Sequence, residues 1–166
     1  MLKFRFVLVG LGLFLSSIPA LQGQIQDPVD IAFAQEKLDG NRVKLKATAT
    51  MDEGWHIYSI HTPDTSFIIG SDFVMLDTNQ NYAFAGPLTE PEATTEYDPN
   101  FQETLSYHGG EVTISRVIEV KSSEDFSLEA EFTYQTCNEA TCLTPEYIPH
   151  TFQIEGQEQS PDAGTS

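Results

Sequence analysis

Cysteine is scarce in this chain: two in 166 residues, at positions 137 and 142. Small disulfide-stapled scaffolds carry many more, so a hydrophobic core must supply most of the stability and a single bridge needs its own explanation. Basic residues are scarce as well, with eight Lys and Arg against 25 Asp and Glu. Such a surface repels nucleic acid and anionic lipid headgroups, and neither is an expected partner. After the first two dozen residues there is no long apolar run, so the sequence offers no second candidate for a membrane-spanning helix. Sustained helical periodicity is missing too, which argues against a helical domain.

The start of the chain has the pattern of an export signal. Lys3 and Arg5 precede an apolar run from Phe6 to Leu15, and Ser16, Ser17, Pro19, Ala20 and Gly23 follow. A cleaved signal peptide is expected over residues 1–23. Its apolar core is short for a membrane span, and no cysteine lies nearby to carry a lipid. The expected location is the periplasm or the exterior, without membrane insertion after cleavage. The remaining residues, about 140, fit one domain, expected over 27–155. The polar stretch 156–166 is expected to be a disordered tail. Lys3 and Arg5 fall in the signal segment and no acid does, so six basic residues face 25 acidic ones in the remainder, a formal charge of −19. Beyond solubility, that charge would steer encounter with a partner bearing a basic patch.

What periodicity there is has a repeat of two. Val43, Leu45, Ala47, Ala49 and Met51 alternate with polar residues, as do Leu128, Ala130, Phe132 and Tyr134, and Ile148, His150, Phe152 and Ile154. Each set predicts a half-buried strand. Asp39-Gly40-Asn41 predicts a hairpin turn back to a strand at 31–35. Shorter β-rich runs lie at 55–58, 67–69, 73–76, 82–84 and 112–120. Many short strands separated by turn residues predict an all-β antiparallel sandwich, with Leu45, Ala47, Ala49, Leu128, Phe132 and Phe152 facing the core. Residues 87–102 break the pattern with three prolines and four acids. They read as a long loop that cannot be a central strand, and Phe101 is almost isolated there among polar neighbours.

Cys137 and Cys142 sit in Tyr134-Gln135-Thr136-Cys137-Asn138-Glu139-Ala140-Thr141-Cys142-Leu143-Thr144-Pro145. A strand runs into the first cysteine, Asn138 permits a turn, and the return begins after Pro145, so the two lie at the mouth of a hairpin-like connection. Three readings stand. A structural bridge over so short a loop stabilises by only about 2 kcal/mol. A bridge that stabilises so little can open and close without unfolding the domain, as a redox shuttle must. Zinc is the third reading, but His56, His61, His108 and His150 are scattered and there is no second cysteine pair; neither a metal nor another cofactor is expected. Glu139 and Glu146 would raise a nearby thiol pKa and suppress free thiolate.

The Tyr134-Gln135-Thr136-Cys137 and Cys142-Leu143-Thr144-Pro145 segments resemble the N-terminal domain of DsbD, the periplasmic thiol:disulfide interchange protein. Gly54-Trp55-His56-Ile57-Tyr58-Ser59 is similar to that family's glycine-aromatic stretch, and Glu96-Tyr97-Asp98-Pro99-Asn100-Phe101, followed by Tyr107, to its cap loop. The likeness runs from about Asp27 to Ile154, in the right order. It implies an immunoglobulin-like sandwich and a free-standing exported module, a reductase or electron carrier. Such a module would pass electrons between thioredoxin-like periplasmic proteins, including those of cytochrome c maturation, and draw them from a membrane electron donor. It further implies that Phe101 covers the disulfide and that Cys142 forms the mixed disulfide with partners while Cys137 resolves it. Asp98, Tyr97, Tyr58, Tyr107 and Tyr134 are the implied cap-loop and wall residues. This sequence departs from the family pattern in having four rather than five residues between the cysteines, and Pro99 and Asn100 where paired acids precede the phenylalanine. The competing class is a non-catalytic exported accessory sandwich with a structural disulfide.

Overall fold

The computed structural model describes residues 26–77, 79–99 and 101–157. The expected signal peptide lies outside the described residues, as does the expected tail from 158 onward. Gly156 and Gln157, assigned above to that tail, are tied to the domain: their amides donate to Asp125 Oδ1 and to the Ser122 carbonyl, both at 2.9 Å.

Eleven strands and no helix make up the described residues: β1 (Val29–Lys37), β2 (Arg42–Met51), β3 (His56–Tyr58), β4 (Asp72–Met75), β5 (Tyr82–Phe84), β6 (Thr94–Asp98), β7 (Glu103–Gly109), β8 (Glu111–Val120), β9 (Phe126–Tyr134), β10 (Thr136–Cys137) and β11 (Glu146–Ile154). Every pairing is antiparallel, in three sheets ordered β1-β2-β8-β5, β10-β3-β7-β6 and β11-β9-β4. The expected β1–β2 hairpin forms, closed by the Leu38 amide on the Arg42 carbonyl at 2.9 Å. Gly40 takes φ +70° in its turn, a conformation that costs an L side chain energy.

Alternation decides which face each strand buries. Leu45, Ala47, Ala49, Leu128, Phe132 and Phe152 all enter one core that joins the first and third sheets. Phe73, Phe132 and Phe152 meet there edge to face, an arrangement favourable beyond the area it buries. His150, expected on the inward face of β11, stacks flat on Phe33 at 4.4 Å between ring centroids.

Two expectations need correction. Residues 67–69 form no strand. Ile68 is buried but Phe67 is 82% exposed, and side chains hold the segment as a loop: the Ser66 hydroxyl accepts from the Ile68 amide, and Gln135 Oε1 from the Ile69 amide. The proline-rich stretch 87–102 is not all loop. It contains β6, which pairs with β7, a strand the periodicity did not reveal because Ser106 and His108 share it with only Leu105 and Tyr107 as larger apolar residues. β6 lies at the edge of its sheet, where neighbouring prolines are tolerated.

The approach to β6 is fastened by one buried carboxylate. Glu90 receives hydrogen bonds from the Ser59 hydroxyl, from the Ile60 amide at 3.0 Å and from His108 Nε2 at 3.0 Å. The Glu90 and His108 side chains are only 5% and 7% exposed. Burial works against the Glu90 charge, but the bonds from Ser59, Ile60 and His108 together outweigh it, and the carboxyl is held below its ordinary value of 4.5. Stability from a lowered carboxyl is complete above the unfolded-state value and is lost as pH falls through the folded one. Glu90→Gln is therefore expected to cost about 1–3 kcal/mol at neutral pH and to flatten the fall in stability between pH 5 and more acid conditions. Urea midpoints across that range check it; wild-type midpoints in the variant would remove the carboxylate from this role.

Candidate functional site: a disulfide at the floor of an acidic, aromatic cleft

Gln135 is the only residue between β9 and β10, and across it the chain passes from the third sheet into the second. Its amide holds both flanks of the site, accepting from the Ile69 amide at 2.9 Å and donating to the Leu143 carbonyl at 3.1 Å. Cys137 is thus itself part of a strand, paired with β3, rather than lying past the end of one. The Leu143 amide donates to the Thr136 carbonyl and the Asn138 amide to the Thr141 carbonyl, both at 2.9 Å, closing a tight hairpin around the two cysteines. Asn138 Oδ1 accepts from the Ala140 and Thr141 amides at 2.9 Å, the local side-chain bonding that suits asparagine to turns. Cys137 and Cys142 are disulfide-bonded, with Cα atoms 4.0 Å apart.

Directly opposed residues of antiparallel strands project to the same face. Cys137 opposes His56, His56 opposes Gly109, and Tyr58 opposes Tyr107. One face of the second sheet therefore carries Cys137, His56, Tyr58 and Tyr107. Ile57, between His56 and Tyr58, turns the other way into the main core. Above the first face lies an open cleft of about 1000 Å³, lined by both cysteines, His56, Tyr58, Tyr97, Asp98, Phe101 and Tyr107. Cys137 is 2% exposed; Cys142 is partly exposed.

Phe101 packs, with Tyr107 and Cys142, against a small cluster of Tyr58, Ile68, Leu105 and Cys137. It sits in the turn joining β6 to β7, where its amide donates to Asp98 Oδ1 at 3.4 Å. Gln102 next to it has φ +57°, the only positive φ at a non-glycine among the described residues. Tyr107 donates to Glu96 Oε2 at 3.0 Å; that bond, with burial, raises its phenol above the ordinary value. Burial, reinforced by Asp98, pushes the Tyr58 phenol up to about 12.

Of the residues expected here, Cys137, Cys142, Phe101, Asp98, Tyr97, Tyr58 and Tyr107 come together. Tyr134 does not: it is 3% exposed in the main core, and burial, with Glu146, Asp27 and Asp30, raises its phenol to about 12. His56 was missed as a site residue. The signal was its two-residue spacing from Tyr58, which puts both on one strand face. Its Nε2 lies 3.2 Å from the Tyr58 hydroxyl, and its ring packs at 4.8 Å from Tyr107 and 5.1 Å from Tyr58. Burial lowers its pKa, opposed by Asp98.

The chain belongs to the family of the thiol:disulfide interchange protein DsbD, N-terminal, whose pattern matches residues 24–153. In structure it is similar to the N-terminal periplasmic domain of ScsB from Proteus mirabilis, with a TM-score of 0.53 and 13% identity over 89% of this chain and 52% of that one. The chain thus spans about half the length of that domain. Weaker likenesses are to the reduced DsbD N-terminal domain of Neisseria meningitidis, with a TM-score of 0.43 and 16% identity over 76% of this chain and 87% of that one, and to the complex between the DsbD N-terminal and PilB N-terminal domains of the same species, at 0.45 and 13% over 72% and 81%. No curated protein matches the chain.

Asn138 holds the turn whether or not the sulfurs are joined, but the dithiol, without its bridge, depends on it more. Asn138→Ala is expected to make the disulfide harder to reduce. A loss of about 1 kcal/mol from the dithiol corresponds to a midpoint roughly 20 mV more negative. Equilibration with a glutathione buffer measures it; an unchanged or less negative midpoint would contradict this role for the turn.

Proposed function

We propose that this domain is a periplasmic thiol:disulfide exchange module that passes electrons between thioredoxin-like proteins through Cys137 and Cys142, drawing them from a membrane electron donor. The observation that carries the reading is the setting of the bridge. It spans a hairpin already closed by backbone hydrogen bonds, at the floor of an open cleft, so it can be cut and remade without loss of the core. Family membership supports the chemistry. The partner class is proposed from that membership and from the cleft's acidic rim, which suits a basic docking face.

In the proposed cycle a partner thiolate attacks Cys142, the more accessible sulfur, and Cys137 leaves. That partner's second thiolate then attacks its own bonded sulfur and leaves this domain a dithiol. The Cys142 thiolate next attacks the disulfide of an oxidised partner, and Cys137 attacks Cys142 in that mixed disulfide, which releases the second partner as a dithiol and restores the bridge. Phe101 acts as the cap that keeps small thiols away until a partner displaces it, with Asp98 holding the cap turn and Tyr58, Tyr97 and Tyr107 forming the wall.

Two measurements test this. Phe101→Ala should speed reduction by small thiols at least several-fold with little change in melting temperature; a large melting loss without a rate change would make Phe101 a packing residue only. With Cys137→Ala, a thioredoxin-like partner activated as a mixed disulfide should accumulate as an adduct through Cys142, whereas Cys142→Ala should give little. Non-reducing gels and mass spectrometry count the adducts. Adduct mainly through Cys137 would reverse the roles, and none through either cysteine would favour a structural bridge in an accessory domain.

A further inference from the structure

The sulfur that leaves in this cycle is the badly placed one. Cys137 is 2% exposed, and a thiolate released there has little water to solvate it. The charges around it make matters worse. Among the described residues lining the cleft are Asp52, Glu53, Glu96, Asp98 and Glu139, and no lysine or arginine. One group in that lining can be positively charged, and it stands directly across the strand pair from Cys137: His56.

We propose that His56 is the acid–base partner of Cys137, giving a proton to its sulfur as the disulfide opens and removing that proton before the disulfide re-forms. The inference rests on the exchange reading above and goes beyond it, because the resemblance that led to that reading assigns no role to a histidine. Opposed side chains of an antiparallel pair have Cβ atoms about 5 Å apart, which puts imidazole and sulfur within reach of one another. Gly109, opposite His56 on its other side, offers no competing side chain. Tyr107 flanks the ring, and the Tyr58 hydroxyl lies on Nε2 at 3.2 Å. With the Tyr58 hydroxyl accepting from Nε2–H, Nδ1, the nitrogen nearer the backbone row shared with Cys137, is the one that gives up and takes back the proton.

The step balances. The thiolate of a thioredoxin-like dithiol attacks Cys142 Sγ, a sulfur–sulfur bond to the partner forms, and the Cys137–Cys142 bond breaks. Its electron pair remains on Cys137 Sγ, which takes a proton from the imidazolium. The partner's second thiolate then attacks its own bonded sulfur, leaving the partner oxidised and this domain a dithiol. The titratable and charged groups that line the cleft with His56 are Tyr58 on its own strand, Asp52 and Glu53 just before it, Tyr107 on β7, Glu96, Tyr97 and Asp98 on β6, and Glu139 with the cysteines on the hairpin. Burial moves the acid form of His56 below its ordinary pH range, against Asp98, so the donor is fully loaded only in mild acid.

The test is reduction of the folded domain by dithiothreitol between about pH 5 and pH 9, with each rate divided by the fraction of dithiol present as thiolate. In wild type the corrected rate should rise about tenfold or more as pH falls below 6.5. His56→Phe keeps a ring between the two tyrosines and His56→Gln keeps an N–H; neither supplies an acid, and both should give a flat profile. A flat wild-type profile, or a wild-type rise that persists in either folded variant, overturns the proposal, and the wild-type profile decides even if a variant fails to fold. Because dithiothreitol needs no docking, the acid-dependent rise together with no exchange by any thioredoxin-like protein would reject the exchange function while upholding His56 as the proton donor.

Discussion

The site depends on three residues of β3. Ile57 has no exposed surface and locks the strand against the main core. With Ile57 fixed, His56 and Tyr58 have to face the cleft, because alternate side chains of a strand point to opposite sides. Pairing on one edge then brings Cys137 beside His56, and pairing on the other brings Tyr107 beside Tyr58. A register slip of one residue would turn the imidazole and phenol into the core and Ile57 into solvent. The disulfide is thus positioned by ordinary hydrophobic burial on the opposite side of the same strand.

A second constraint governs the turn that carries Phe101. Phe101 hangs on a short turn between an edge strand and β7, and the residues leading into that edge strand are held by Glu90 to Ser59, Ile60 and His108. Ser59 and Ile60 directly follow β3. The floor of the cleft and the approach to the Phe101 turn are therefore fastened to the same short stretch of chain. The turn itself is held by the Phe101 amide on Asp98 and by packing of Phe101 against the cluster of Tyr58, Ile68, Leu105 and Cys137.

Much of this was legible in the sequence. The alternation in β2, β9 and β11 was clean because each buries one face against a large apolar core, and the period of two then shows directly in residue type. β6 and β7 were not legible for the complementary reason. Their sheet gives one face to a polar, partly open cleft, so Glu96, Tyr97, Ser106 and Tyr107 break no hydrophobic rule and follow none. The run at 67–69 misled in the opposite way: Phe67, Ile68 and Ile69 have strand composition, but the Ser66 hydroxyl and Gln135 Oε1 take the Ile68 and Ile69 amides and only Ile68 finds a buried place. The cysteines and Phe101 could be located from spacing and isolation. His56 could be placed on the face of Tyr58 by its two-residue spacing, but its position beside Cys137 emerges only when a distant strand is laid against it. Tyr134, adjacent in sequence to the cysteine hairpin, was drawn to the site by proximity, yet it precedes the crossing at Gln135 and stays with the core.

That the bridge closes a loop already shaped by backbone hydrogen bonds also bears on how the polypeptide matures. The core strands contain no cysteine, and the chain has two in all, so one intramolecular pairing exists and no wrong partner needs correcting. Burial of Leu45, Phe132 and their neighbours can run to completion in a fully reduced chain. Oxidation then acts on a hairpin that is already in place. Burial of the core therefore does not require the bridge to be made first.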